Sequence, residues 1–327
     1  MKKNCLVTTL KAATGNKSLL KVGEMRLEAK TENDKSKRIN FSAYPVVIET
    51  LDGSMSLTTD KNLLTGLTNK LTITGDDFTF YTKTQNIVLS ILNKYKIKSV
   101  SCFGTTINLN DLKPCSDFEY LEAVNCKGSL EAIKDKPMKG INTVTFEQEQ
   151  DIASLSGLTT ITRIILNKTA NVSGDIASLS GLTALIVLTL VRTNVSGNIA
   201  SLSGLTELKG LTLSGTPVSG DIASLSGLTA LKTLDMYDSG TNVSGDIAGL
   251  GRLTALTNLG LYGTSASGEI VDLVISQRSN GRTSGNMAIS TNNIITFNGK
   301  ALISGNYTIS WTASSITNET TSETVNR

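Results

Sequence analysis

The chain has 327 residues, with 31 lysines and arginines against 28 aspartates and glutamates, and a formal net charge of +3. A charge balance this close to neutral gives no sign of a nucleic-acid partner, and no apolar run reaches the roughly 18 residues of a membrane span. The sequence has no histidine, which excludes histidine-based catalytic triads and removes the commonest metal ligand. The composition therefore predicts no catalytic site, no metal site and no cofactor.

Residues 1–84 contain short apolar runs with the alternation that is typical of β-strands. Asp52-Gly53 has the composition of a two-residue hairpin turn, and Gly75-Asp76-Asp77 indicates a second hairpin. The predicted strands are Cys5–Leu10, Leu20–Lys30, Pro45–Leu51, Ser54–Thr59, Leu71–Thr74 and Phe78–Tyr81. We predict a β-rich domain over residues 1–84 that anchors and oligomerises the chain, because association often stabilises a domain with so small a core.

A single amphipathic helix is predicted next. Asn86–Tyr95 places Ile87, Ile91 and Tyr95 four residues apart, and Asn86 is a suitable N-cap residue. This segment directly precedes a series of repeats, and the first repeat of an array exposes its core unless another element covers it. The helix is therefore predicted to cover the first repeat.

Near-identical copies of one sequence form the middle of the chain. They begin at Asp151, Asp175, Asn198, Asp221 and Asp246, so successive copies start 24, 23, 23 and 25 residues apart. In the fourth copy the alternation of Leu234 and Met236 predicts a short strand, and apolar residues about three apart predict turns or 3₁₀ segments. Self-similarity at this period predicts a solenoid whose coils share one core.

The same apolar offsets recur upstream in less regular form. The predicted strand-closing positions are residues 102, 126, 146, 166, 190, 213, 236 and 261, which gives about eight coils and one continuous parallel sheet from about Ile97 to Tyr262. Three of the four cysteines, Cys102, Cys115 and Cys126, fall on core positions, so buried free thiols without a function are predicted. Cys102 and Cys126 are expected on neighbouring strands, where a disulfide is feasible but not required.

The string LTALKTLDMYDSGTNVSGDIAGL, Leu228–Leu250, resembles leucine-rich repeats of the plant type and of the bacterial internalin type. This resemblance implies a parallel β-sheet solenoid with 3₁₀ segments. Many such repeats carry Asn three residues after the last inward residue of the strand, whereas this chain has hydroxyl side chains at Thr169, Thr193, Thr216, Ser239 and Thr264. These hydroxyls are predicted to bond the backbone of the adjoining turn. Turn conformations that favour glycine are predicted at Gly174, Gly197, Gly220, Gly245 and Gly268.

After Gly268 the repeat pattern becomes irregular. Glu269–Val274 begins a sixth copy, Ile294–Phe297 and Lys300–Ile303 are predicted to form a hairpin around Asn298-Gly299, and Asn306–Thr312 is a predicted strand. The Ser, Thr and Asn content of Thr312–Arg327 predicts a loose tail. We therefore predict three parts: residues 1–84, a solenoid with its helical cap over residues 85–274, and a C-terminal β cap and tail over residues 275–327.

The outward side chains of the predicted sheet form three columns, which are the least repetitive positions of the copies. The first column is Arg163, Val187, Gly210, Thr233 and Asn258; the second is Ile165, Thr189, Thr212, Asp235 and Gly260; the third is Asn167, Val191, Ser214, Tyr237 and Tyr262. Repeats that vary on one face only are expected to use that face for recognition. The predicted binding face consists of Arg163, Ile165, Asn167, Asp235, Tyr237, Asn258 and Tyr262.

The segments Asn4–Ala12 and Ser18–Ala29 resemble the start of virion structural proteins from phages of gut Bacteroidales, including crAss-like phages. This resemblance implies a non-enzymatic head fibre or tail appendage. It would bind other virion proteins through its N-terminal domain and a host surface protein or glycan through the repeat sheet, with a trimer as the favoured homo-oligomer. The first lysines are not followed by an apolar run of about 7–15 residues, so no signal peptide is predicted and the expected location is the virion.

Two other functions are consistent with repeats of this kind. A bacterial surface adhesin would use the same face after export by another route. A carbohydrate-active enzyme would need two carboxylates about 5–10 Å apart, whereas Asp235 is the only carboxylate in the three columns. The sequence favours binding over catalysis.

Overall fold

The computed structural model describes residues 18–22, 25–29, 37–41, 47–51, 54–58, 71–73, 78–82, 99–112, 118–168, 170–237, 242–291 and 294–326. The chain forms two compact units, Met1–Gln148 and Glu149–Arg327. The three-part division at residues 84 and 274 stays a prediction. Among the residues described, no helix is both long and apolar enough to span a membrane.

The described residues of the first unit form two sheets. The strands in chain order are β1 (Ser18–Val22), β2 (Met25–Ala29), β3 (Lys37–Phe41), β4 (Val47–Leu51), β5 (Ser54–Thr58), β6 (Leu71–Ile73), β7 (Phe78–Thr82), β8 (Ser99–Asn108), β9 (Tyr120–Lys127) and β10 (Gly140–Phe146). The larger sheet has the order β1-β2-β3-β7-β8-β9-β10, and the smaller sheet is β4-β5-β6. From β3 onward the larger sheet is parallel.

The N-terminal strands confirm one predicted hairpin and correct two other predictions. β4 and β5 pair antiparallel with Leu51 opposite Ser54, as predicted around Asp52-Gly53. The second predicted hairpin is wrong, because β6 pairs with β5 while β7 lies between β3 and β8. An alternating pattern identifies a strand but not its neighbour. The predicted single strand Leu20–Lys30 is wrong. This range covers the last residues of β1 and the whole of β2, and the two strands pair antiparallel as a hairpin.

Some sequence predictions lie outside the described residues. These are the strand Cys5–Leu10, the helix Asn86–Tyr95, and the surroundings of Cys5 and Cys115.

The irregular upstream coils confirm one predicted register and correct another. Cys126 lies opposite Phe146, as the matched offsets predict. Cys102, however, lies opposite Ala123, and Ile107 takes the place opposite Cys126, because the register shifts at an irregularity between Cys102 and Thr106. Cys126 is fully buried and forms no disulfide.

The second unit has a front sheet and a back sheet, both parallel through the repeats. The back sheet begins with β11 (Gln150–Asp151), and further strands alternate between the sheets: β12 (Arg163–Leu166), β13 (Val172–Asp175), β14 (Val187–Thr189), β15 (Asn194–Asn198), β16 (Gly210–Thr212), β17 (Val218–Asp221), β18 (Thr233–Asp235), β19 (Asn242–Asp246), β20 (Asn258–Gly260) and β21 (Ser265–Glu269). The even-numbered strands form the front sheet and the odd-numbered strands the back sheet. The back sheet is not predicted from the sequence.

Each back strand of the repeats leads into a 3₁₀ segment, which confirms the predicted turn. The 3₁₀ segments are Ile152–Leu155, Ile176–Leu179, Ile199–Leu202, Ile222–Gly227 and Ile247–Leu250. The inward leucines and isoleucines of these coils are at most 1% exposed, and burying such a side chain stabilises the fold by about 1.5–3 kcal/mol. One coil is too thin to bury them alone, so stacking on the next coil is required.

A carboxylate or amide at the start of each 3₁₀ segment contacts a glycine of the next coil. The Oδ1 atoms of Asp151, Asp175, Asn198, Asp221 and Asp246 each accept from the backbone N–H two residues later at 2.9 Å. A methyl group at Gly197 would overlap Oδ1 of Asp175, and Gly197 has φ +108°. The other four glycines predicted to need such turns have φ between +103° and +129°. This contact repeats at the five coil boundaries from Asp151 to Gly268.

Buried hydroxyls close the turns after the front strands β14, β16 and β20, as predicted. Thr193, Thr216 and Thr264 are at most 3% exposed. Their Oγ1 atoms donate to the carbonyl oxygens three residues earlier, at 3.4, 2.5 and 2.8 Å. Thr169 and Ser239 lie outside the described residues.

The C-terminal residues continue both sheets. The sixth copy begins like the others, because the side chain of Glu269 accepts a hydrogen bond from the N–H of Val271. It then continues as the helix α1 (Ile270–Ser279) and not as a 3₁₀ segment. The remaining strands are β22 (Gly285–Thr291), β23 (Ile295–Phe297), β24 (Lys300–Ala301), β25 (Gly305–Trp311), β26 (Ser315–Asn318) and β27 (Glu323–Asn326). β22 joins the front sheet beside β20, and β25 pairs antiparallel with β22. The predicted hairpin at Asn298-Gly299 and the predicted third strand are confirmed.

The predicted loose tail is wrong. β26 and β27 form an antiparallel hairpin on β25. Ile316 and Asn318 are fully buried, and Oδ1 of Asn318 accepts from the N–H groups of Thr320 and Thr321 at 3.1 and 3.3 Å. A composition rich in Ser, Thr and Asn is therefore compatible with strands here, because the polar side chains close the turn.

Polar side chains of the cap satisfy the carbonyl groups of the last coil. The Arg282 guanidinium lies over the Trp311 ring, 4.5 Å from its centroid, and donates to the carbonyl of Leu256. Gln277 donates to the carbonyl of Leu253 at 3.1 Å. Burial lowers the pKa of Arg282 from its usual value. These contacts cover the end of the core with hydrogen-bonded groups.

The contact between coils predicts that substitutions at two glycines of the same coil will affect stability differently. Gly197→Ala should destabilise the fold by about 1–3 kcal/mol, because alanine is strained at this φ and overlaps Asp175. Gly204→Ala is the matched control, since a methyl group there meets nothing within 4 Å. Urea unfolding of both variants tests this, and equal midpoints would contradict the role given to the coil boundary.

The hydroxyl contacts predict a second difference. Thr216→Val should lower stability by about 1 kcal/mol, because one buried hydrogen bond is lost while the carbonyl of Leu213 still accepts from the N–H of Thr216. Thr229→Val, at an exposed position of the next coil, is the control and should change little. Thermal unfolding measures both, and an unchanged melting temperature of Thr216→Val would argue against a stabilising role of these hydroxyls.

Candidate binding face

The outward columns of the front sheet are aligned as predicted. Arg163, Val187, Gly210, Thr233 and Asn258 lie opposite one another along the first column. The second column is aligned by the same pairings, and the hydrogen bonds from Lys168 to Val191 and from Arg192 to Ser214 continue the register into the third. β22 extends the first two columns with Ala288 and Ser290.

The predicted face divides into two groups. Asp235, Tyr237 and Asn258 line one shallow depression, and Tyr262 stacks on Tyr237. The other group, Arg163, Ile165 and Asn167, belongs to β12 and the residue that follows it, three strands away in the sheet order. The structure therefore brings together four of the seven predicted residues.

The depression has a volume of about 320 Å³ and extends across β18, β20, β22 and β25. It is lined by Thr233, Leu234, Asp235, Tyr237, Asn258, Leu259, Gly260, Ala288, Ile289, Ser290 and Asn306. Small side chains in the second and third of these strands make it concave: Gly260 has none, and Ala288 and Ser290 are short. Ala288, Ser290 and Asn306 are not predicted as part of the face. The alternation of Met287, Ile289 and Thr291 is a sequence signal that identifies β22 as a strand.

Asp235 is the only charged residue of this lining. Its Oδ1 accepts from the backbone N–H of Tyr237 at 3.0 Å and from Oγ of Ser214 at 3.2 Å. Within the described part of the chain, Oδ2 receives no hydrogen bond and no lysine or arginine forms an ion pair with it. A side chain at Gly260 would place Cβ 2.6 Å from Oδ1, so glycine leaves room for the carboxylate.

Tyr237 and Tyr262 form an exposed aromatic pair. Their ring centroids are 5.0 Å apart with an interplanar angle of 22°. Tyr237 is 47% and Tyr262 37% exposed, so the pair contributes little burial to the core. Each ring restricts the other, and an ordered exposed aromatic pair loses little conformational freedom when it contacts a partner.

The lining of the depression has no constellation for covalent chemistry. Its lining offers one carboxylate, whereas glycoside hydrolysis uses a pair. Among the described residues, no group of three or more cysteines, aspartates or glutamates is placed to hold a metal ion. The available interactions are hydrogen bonds, one charge and aromatic contact.

No protein-family model matches the sequence, and no curated protein matches it significantly. Solved structures do match. A plant peptide hormone receptor, RGFR1 in complex with RGF2, has a TM-score of 0.53 at 19% sequence identity, over 69% of this chain and 40% of the receptor chain. The fold is a leucine-rich-repeat solenoid. The resemblance of Leu228–Leu250 to leucine-rich repeats is thus confirmed at the level of fold.

Two internalins of Listeria monocytogenes are also similar. Internalin C2 has a TM-score of 0.45 at 22% identity, over 58% of this chain and 76% of its own. Internalin F has a TM-score of 0.46 at 18% identity, over 79% of this chain and 82% of its own. This leucine-rich-repeat chain spans well under two thirds of the receptor's length, and most of the internalins' length.

The aromatic pair should matter little for folding. Tyr262→Ala should cost about 1 kcal/mol or less, because both rings are exposed and only their mutual contact is lost. Tyr307→Ala is the control: Tyr307 is 7% exposed and donates to the carbonyl of Ile303 at 3.0 Å, so about 3–5 kcal/mol is expected. Denaturant titration compares the two, and similar losses would show that Tyr262 belongs to the folding core.

Proposed function

We propose that this protein is a non-enzymatic virion structural protein, a head fibre or tail appendage, whose front sheet binds a protein on the host surface. The binding role is supported by the contrast between two kinds of position in the coils, those that the fold constrains and those that face outward from the front sheet. The coil-boundary and core residues repeat almost unchanged, whereas the second column varies from Ile165 through Thr189 and Thr212 to Asp235 and Gly260. Positions that the fold leaves free are the ones available for recognition.

The exposed aromatic pair supports the same role. Tyrosine is enriched among the residues that dominate protein interfaces, particularly beside groups that exclude water. Tyr237 and Tyr262 lie at the edge of a concave surface that offers Asp235 and Asn258 as hydrogen-bonding groups. This combination of an apolar anchor and polar groups is typical of a binding surface.

The virion role is supported by the resemblance of Asn4–Ala12 and Ser18–Ala29 to phage virion proteins. The second of these segments forms the hairpin β1–β2. In this proposal residues 1–84 attach to other virion proteins and hold the chain as a trimer, and the repeats project from that anchor. Attachment and presentation are thereby assigned to different parts of the sequence.

Mass spectrometry of gradient-purified phage particles tests the virion role. The chain should copurify with the other particle proteins at a constant ratio across the gradient. If it is absent from the particles and fractionates with the bacterial envelope, the virion role is wrong and a cell-surface adhesin is favoured.

Binding of the purified full-length protein to host cells tests whether the front sheet is the contact surface. Tyr237→Ala should reduce binding about tenfold or more, since interface tyrosines often contribute more than 1.4 kcal/mol. Ser196→Ala, at an exposed position of back strand β15, should leave binding unchanged. Equal binding by both variants would show that the front sheet is not the contact surface.

A further inference from the structure

We infer that the depression across β18, β20, β22 and β25 binds a basic side chain, lysine or arginine, of the protein partner. This inference rests on the proposed binding role of the front sheet and names the chemistry that the sheet recognises. The receiving group is the carboxylate of Asp235. The juxtaposition that points to it is a half-buried, uncompensated carboxylate beside an exposed aromatic pair in a concave surface.

The charge of the depression favours a cation. Asp235 is its only ionisable acid or base apart from the tyrosine hydroxyl of Tyr237, and the described residues provide no salt bridge for it. Both groups that bond Oδ1 are neutral donors, so they orient the carboxylate without neutralising it. Covering a carboxylate with an uncharged partner would remove water from it without compensation, whereas a basic side chain supplies the opposite charge.

The hydrogen-bonding groups also match a basic side chain. Lysine ammonium and arginine guanidinium groups are donors only. The lining offers several acceptors near Asp235: the side-chain amide oxygens of Asn258 and Asn306 and the hydroxyl oxygens of Thr233 and Ser290. A group with several N–H donors can therefore be satisfied by the lining, with Oδ2 of Asp235 as the charged acceptor.

The aromatic pair adds a second element of selectivity. A cation within about 6 Å of a tyrosine ring is attracted by the ring's electrostatic field. Tyr237 lines the depression, and the contact with Tyr262 at 5.0 Å keeps its ring ordered before a partner arrives. The aliphatic stem of lysine or arginine can pack on the same ring while its charged end reaches Asp235.

The size of the depression fits one side chain. Its volume of about 320 Å³ is at the lower end of the range of roughly 300–1,000 Å³ for small-molecule sites. It is also open to solvent along the sheet, so a chain crossing the front sheet can insert a single residue. A neutral sugar is the alternative occupant because tyrosine rings also stack on sugars, but it would leave the carboxylate uncompensated.

The test uses a synthetic library of random dodecapeptides, selected on the immobilised full-length protein at physiological salt. The wild-type protein should enrich lysine or arginine at one position by about tenfold or more. Asp235→Asn should lose this enrichment, because the amide can still accept from the N–H of Tyr237 but carries no charge. Glu207→Gln, which removes an exposed carboxylate from a turn of the same unit, should keep it.

The possible outcomes separate this inference from the proposed binding role. Enrichment of basic residues that Asp235→Asn abolishes, with unchanged melting temperature, supports the inference. Selection of peptides without basic residues, or enrichment that survives Asp235→Asn, overturns it while leaving the front sheet as a binding surface. Binding only to a neutral-glycan array, lost in Tyr237→Ala, overturns it in favour of a sugar. Absence of any binding by a protein that also fails to bind host cells would overturn both.

Discussion

The stacking of one coil on the next determines the rest of this structure. A single coil cannot bury its own leucines, so the fold depends on a boundary that repeats in register from Asp151 to Gly268. At each boundary a capping carboxylate or amide lies against a glycine of the following coil, where a larger residue would overlap it. The same side chain also accepts from the N–H of the second residue of the 3₁₀ segment, so one residue fixes both the turn and the spacing between coils.

That constraint acts on the core and on the turns but not on the outward columns of the front sheet. An outward side chain on a short parallel strand contacts mainly its neighbours in the same column, so size and charge can change without loss of the coil. This freedom permits Gly260 beside Asp235 and the stacked pair Tyr237 and Tyr262. The depression exists because the small residues Gly260 and Ser290 follow the larger Asp235 across neighbouring strands of the second column. The single charge of the depression belongs to one coil and is not a property of the repeat.

The sequence predicts the repeats well because their periodicity reports burial directly. The front-sheet register, the hydroxyls at Thr193, Thr216 and Thr264, and the position of the tyrosine pair all follow from matched offsets. The back sheet is not predicted, since its strands β13, β15, β17, β19 and β21 each contain one buried apolar residue with a glycine two residues later, which is too short for a pattern. Ala288, Ser290 and Asn306 complete the depression from strands outside the repeat, where no internal comparison exists. In the first unit, alternation identifies strands such as β7 but not their partners.

Removal of one whole coil tests whether the coils are equivalent modules. The register offset from Gly210 to Thr233 is 23 residues, so deleting residues 198–220 joins Gly197 to Asp221 and recreates the normal boundary. We expect this deletion variant to fold cooperatively, with an unchanged circular dichroism spectrum per residue and a modest loss of stability. Deleting only residues 198–208 breaks the register and should prevent folding of the second unit. If the whole-coil deletion unfolds, or if both deletions behave alike, the coils are not equivalent modules and the account is contradicted.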